Sequence, residues 1–178
     1  MPDALVEDVI VYPTMIRLAA CLCLEMEAAG GPGLCFCGVT TGEPVMDFCG
    51  GDTCGEDGCG GQAWVRFTDA YPSSTFPAPN QSLANCFSPL AYNIEVGVAR
   101  CAPMGSANGA GGFTAPTVGD HVAALRLQLA DMAAMKRAIQ CCFGKGDADY
   151  ILGQYTQVNV NGGGCLGGTF NVVVWQEF

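Results

Sequence analysis

From Thr117 onward the chain reads as one long helix, and this single element limits the folds open to it. Thr117-Val-Gly-Asp120 has the form of an N-cap in which Asp120 reaches back as a capping box. Beyond it, over about 118–143, Val122, Leu125, Leu129, Met132, Ile139 and Cys142 share one stripe, with Met135 beside it. Arg126, Asp131, Lys136 and Arg137 fall elsewhere on the wheel. At 1.5 Å per residue the helix is roughly 39 Å long, enough to cross a four-stranded sheet. Alternating segments flank it on both sides, and only this one helix separates strands, so a purely parallel α/β sheet is excluded.

The alternating segments are four. Gln62–Thr68 places Ala63, Val65 and Phe67 on one side and Trp64, Arg66 and Thr68 on the other. Leu90–Arg100 puts Tyr92, Ile94, Val96 and Val98 on a common face. Tyr150–Val160 and Thr169–Trp175 form a hairpin joined by the Gly-rich segment 161–168. An earlier helix spans 13–29, with Pro13 in its first turn, a stripe of Met15, Leu18, Leu22 and Met26, Ile16 and Leu24 beside it, and a stop at Gly30-Gly31-Pro32. A short strand at Leu34–Val39 fits the Gly/Cys-rich tract 30–61. The segment 71–89, with four prolines, reads as an extended projecting loop, and 102–116 as a mobile linker. The expectation is an α+β fold over one domain, 1–178. It has a four-stranded, mostly antiparallel sheet, two helices packed on one face, and long Gly/Cys-rich and Pro-rich loops.

Composition narrows the function. Half of the residues are hydrophobic, which argues against disorder, and only 13% are charged. Seven bases against 17 acids give a net charge of -10, too little positive charge to hold nucleic acid or an anionic membrane surface. No apolar run is long enough to span a bilayer. Asp3, Glu7 and Asp8 stand where a signal peptide carries positive charge, so synthesis and residence in a reducing cytosol are expected.

The 12 cysteines sit uneasily with that compartment. Cys21 and Cys23, in an apolar helix, are expected to pack as small hydrophobes. Cys35, Cys37, Cys49, Cys54, Cys59, Cys86, Cys101, Cys142 and Cys165 are the candidates for disulfides or cross-links. Cys35-x-Cys37 with Cys49, Cys54 and Cys59 has sulfurs enough for zinc, but lacks paired CxxC knuckles. Zinc, disulfides and free thiols all stay open, since spacing does not set connectivity. Cys141-Cys142 is adjacent and ends a helix, where the dipole raises a thiol pKa. His121 is the one histidine, so it has no partner for a relay. Asp47, Asp52, Glu56 and Asp57 crowd one loop without EF-hand spacing, which reads as a solvated acidic loop. No nucleophile elbow, zinc-protease or phosphate-loop motif is present. The expectation is a non-enzymatic protein without catalytic residues, metal or cofactor, in which Trp64, Arg66 and Glu95 are contact or lumen residues of an assembly.

Several stretches resemble the tail terminator proteins of long-tailed bacteriophages, above all the Cys-rich versions of actinobacterial phages. They are Tyr12-Pro-Thr14, Cys59-Gly-Gly-Gln-Ala-Trp-Val-Arg66, Ala70-Tyr-Pro-Ser73 with Phe76-Pro77, and Ser88-Pro-Leu90 leading into Glu95-Val-Gly-Val98. Arg100-Cys-Ala-Pro103, Leu127-Gln-Leu-Ala-Asp-Met132 and Gly162-Gly-Gly-Cys-Leu-Gly-Gly168 before the last strand continue the likeness. The resemblance implies a mixed sheet flanked by two helices and a homo-oligomer, a hexameric ring in the virion tail or neck. Such a ring caps the tail tube, stops its polymerisation and meets the head–tail connector, while genomic DNA passes through the lumen. Six copies at -10 each carry about -60, a lining that repels phosphate. Exposed strand edges could pair between subunits until ring closure leaves none free. Another head–tail joining protein (stopper, adaptor or neck) and a small zinc- or thiol-dependent module are the alternatives.

Overall fold

The computed structural model describes residues 10–43, 60–80, 89–103, 105–107, 112–144, 148–158 and 164–176. The first element is helix α1 (Val11–Ala29). Strands β1 (Phe36–Val39), β2 (Gly61–Pro72) and β3 (Leu90–Cys101) follow. A two-stranded ribbon, β4 (Ser106–Ala107) and β5 (Phe113–Thr114), precedes helix α2 (Val118–Phe143). Strands β6 (Asp149–Gln157) and β7 (Cys165–Gln176) complete the described chain.

The fold is α+β, with a five-stranded mixed sheet in the order β1-β2-β3-β7-β6 rather than four antiparallel strands. The extra strand is the short Leu34–Val39 segment, which pairs parallel with β2 from Phe36↔Gln62 to Val39↔Val65. Its four residues include Gly38 and carry little pattern of their own, so a neighbour's edge decides their conformation. The other pairings are antiparallel, and β3 runs beside β7 from Leu90↔Gln176 to Cys101↔Cys165.

Both helices lie on one face of this sheet, α1 against β1 and β2, and α2 against β3, β7 and β6. The core forms between them. Leu18, Leu22 and Met26 of α1 and Met135, Ala138 and Ile139 of α2 pack on Ile94, Val96, Val172 and Val174. Each such aliphatic side chain contributes about 1.5–3 kcal/mol on leaving water. Helix α1 stops at Gly30, whose φ of 74° is left-handed backbone that a residue with Cβ adopts at a cost. Ile16 and Leu24 are exposed, not packed beside the buried stripe.

Helix α2 starts where its sequence indicates. Thr117 Oγ1 accepts from the Asp120 N–H, and the Thr117 N–H donates to the Asp120 carboxylate. Hydrogen bonds from Thr117 hold that carboxyl below its usual pKa. The inner face differs from the expected stripe. Val122, Leu125 and Leu129 are exposed, whereas Gln128 and Asp131 are buried with Met135, Ile139 and Cys142. A 3.5-residue spacing drifts about 20° per heptad on a straight helix, so residues that look aligned over five turns occupy two faces.

Two loops are more ordered than expected. In the described part of 71–89 the Ser73 hydroxyl donates to Ala78 O, Asn80 N–H donates to Pro72 O, and Trp175 Nε1 donates to Ser73 O. This segment folds back onto β7 rather than projecting. The linker 102–116 contains the β4–β5 ribbon.

Candidate functional site

The three residues expected as assembly contacts converge on the sheet. The pleat places Trp64, Arg66 and Glu95 on one face, with Arg66 directly opposite Glu95 and Trp64 opposite Gly97. The Glu95 carboxylate accepts from Trp64 Nε1 at 2.8 Å and from Arg66 Nε and Nη2 at 2.7 and 3.0 Å. The Trp64 ring lies across Gly97, where an added Cβ would fall 2.3 Å from ring carbons. Trp64 is 1% exposed, so it serves the fold rather than a surface. Arg66 and Glu95 keep a modest accessible rim beside it. Neighbouring Asn93 hydrogen-bonds Asp69.

The cysteines divide into two groups. Cys23 is joined to Cys37, which ties α1 to β1 across a separation of 14 residues. This corrects the expectation that Cys23 only packs: α1 lies against β1, so Cys23 meets the edge strand. Cys35, Cys101 and Cys165 are also in disulfides. Cys142, expected as a cross-link candidate, is a free buried thiol, and Cys21 and Cys141 are free too. Burial and the neighbouring Cys21 push the Cys142 thiol up to about 11. A zinc tetrahedron needs thiolates, and Cys35 and Cys37 are oxidised. Among the described residues no group of three His, Cys, Asp or Glu is placed to hold a metal ion. Cys49, Cys54, Cys59 and Cys86, and the acidic Asp47, Asp52, Glu56 and Asp57, lie outside the described residues. His121 is exposed in the first turn of α2.

A buried ion pair was not anticipated. Arg100 Nε and Nη2 donate to the two Asp131 oxygens, each at 2.9 Å, and Nη1 donates to Pro32 O. Both side chains are 4% exposed. The cluster joins β3, α2 and the turn after α1. Beside it a cavity of about 250 Å³ is lined by Arg100, Glu27, Gly30–Leu34 and the Cys23–Cys37 bridge. The guanidinium is already engaged by Asp131 and Pro32, so the cavity gains no ready anion-binding charge.

The accessible features are apolar. Val118, Val122, Leu125 and Leu129 form an outward stripe on α2, and Val118 is 81% exposed. All residues from Val118 to Ala123 are exposed, so the first turns of α2 stand clear of the body. Strand β6, at one sheet edge, has one charged residue, Asp149, and no proline. Among the described residues no helix is long and apolar enough to cross a membrane. No protein-family model matches the chain, and no curated protein matches its sequence.

Proposed function

We propose that the protein is a structural subunit of a bacteriophage tail, a tail terminator. Copies close head to tail into a hexameric ring that caps the tail tube, halts its growth and meets the head–tail connector. The observation that carries this reading is that, among the described residues, the sheet is open and its edges are unlike. The four-residue β1 stands at one side and the nine-residue, nearly uncharged β6 at the other. A long edge with a single charge and no proline is a template for pairing with another chain. Two unlike edges favour a heterologous contact, which closes into a ring when the rotation permits. The sequence resemblance supplies the identity of the ring, and the net charge of -10 suits a bore that DNA crosses without sticking.

The action is steric, without a chemical step. One rim pairs with the last tube ring, and the other presents a surface to the neck. The test is electron microscopy of the purified protein with and without assembled tail tubes. Six-fold rings at tube ends are the expected result. Rings that bind the portal-side connector and leave tube length unchanged would instead assign it as a stopper or adaptor. A chain that binds neither tubes nor connector overturns the reading.

A further inference from the structure

We infer that Cys21 and Cys142 form an oxidation site: in the folded protein the two thiols close, by exchange with a small disulfide, into a bond that staples α1 to α2. This inference does not depend on the ring reading. Helices α1 and α2 run antiparallel where they meet. A Cβ at Gly31, just past the end of α1, would fall 2.9 Å from Leu127 Cδ1 in the first half of α2. Further along, Arg137 Nε donates to Glu25 at 2.7 Å. Near the end of α2 the Cys142 and Cys21 thiols hydrogen-bond to each other. Arg17, Cys21 and Glu25 are spaced four residues apart, so they share one side of α1. Arg17 hydrogen-bonds the Cys142 sulfur as well. Cys21 packs against the core cluster that contains Cys142. The sulfurs already touch across the two helices, so a bond of about 2.0 Å asks for a turn of the side chains rather than a new fold.

The two thiols divide the work by access. Cys21 is half-buried and is the one a small disulfide can reach, whereas Cys142 is 4% exposed. The Cys21 thiolate attacks one sulfur of the small disulfide, whose S–S bond breaks, and the first small thiol leaves with a proton from solvent. Cys142 then gives up its proton to solvent and attacks the Cys21 sulfur of the mixed disulfide, expelling the second small thiol. Two protein thiols are oxidised and one small disulfide is reduced to two thiols. Arg17 favours the Cys142 thiolate in that step, against burial. Cys141 is exposed and lies 100° round α2 from Cys142, so it is turned away from the pair. Burial keeps the Cys142 thiol up at about 11, so the reduced pair gains little from ionising and the closed bond resists reduction. An oxidant able to act here is already implied, since Cys23, Cys35, Cys37, Cys101 and Cys165 are in disulfides.

The test incubates the native, unreduced protein with oxidised glutathione, then denatures it, alkylates it and maps its peptides by mass spectrometry without reduction. A peptide pair joining Cys21 to Cys142 is the expected product, with glutathione retained on Cys141. The melting temperature should rise by several degrees, as for a bond that closes a long loop. In Cys142→Ala the reaction should stop at its first step and leave glutathione on Cys21. In Cys21→Ser neither a link nor an adduct at Cys142 should form. Wild-type protein in which Cys21 and Cys142 both stay thiols while Cys141 carries glutathione overturns the inference. So does a link that forms only in denaturant, and so does Cys21 joined instead to Cys141, Cys23 or Cys37. These decisive outcomes are read in the wild type, so a variant that fails to fold does not remove the test, and none of them bears on the ring reading.

Discussion

Arg100 occupies the same alternation parity as Tyr92, Ile94, Val96 and Val98, and it therefore points into the core. A charge there requires a counter-charge, and Asp131 on the inner face of α2 provides it in bidentate form. Asp131→Ala leaves a buried guanidinium without its anion and is expected to destabilise the fold by about 3–5 kcal/mol in urea unfolding. Replacing both residues by apolar ones of similar volume should recover most of that loss. The pair was legible in principle: an arginine on the apolar side of a strand calls for an acid. Hydrophobicity alone instead leaves Asp131 off the apolar stripe of the long helix. Cys142 makes a second point at this scale. Its thiol, raised to about 11 from 9.0 by burial first, is ionised later in the folded chain than in the unfolded one. Its contribution to stability is therefore complete below about pH 9 and is lost as pH rises through about 11. In native protein at pH 8, an alkylating reagent should label exposed Cys141 and reach Cys142 only after denaturation.

Helix α2 shows what a single element takes from its own sequence and what it takes from its neighbours. Its ends were readable because capping is local: Thr117 and Asp120 need only each other. Its facing was not, because a helix of 26 residues with apolar positions on two sides offers two answers, and the sheet chooses one. The side not chosen carries Val118, Val122, Leu125 and Leu129. The first turns have no tertiary cover, so the cap bears more of their stability than usual. Thr117→Ala should cost about 1 kcal/mol. Hydrogen exchange should then show the lost protection confined to residues 118–123. Strand β1 illustrates the converse. Four residues beside glycines give no periodic signal, and their place is set by β2 and by the bridge from Cys37 to Cys23. Removing that bridge by Cys23→Ser is expected to cost about 3 kcal/mol for a loop of this length, read by chemical unfolding under oxidising conditions. The partner choices of the other cysteines were never in the spacing, since connectivity depends on which loops meet.

For the whole molecule, fold class was legible because a covered sheet face demands alternation, and two helices can cover only one side. The strand count was not, because an edge strand is decided by what it joins. Charge acts at this scale as well. With 17 acids and 7 bases, copies approach one another against mutual repulsion. The yield of the proposed ring is therefore expected to rise as ionic strength increases from about 0.01 to 0.15 M, where the screening length falls from roughly 30 to 8 Å. Light scattering across that range checks it, and a fall in yield would argue that opposite charges dominate the contact. The unlike margins of the sheet have a last consequence. A closed circle of such subunits has no axis that exchanges top and bottom, so it reads as a one-way washer. In the proposed tail terminator only one orientation would seat such a circle on a growing tube, and that orientation would determine which surface meets whatever arrives afterwards.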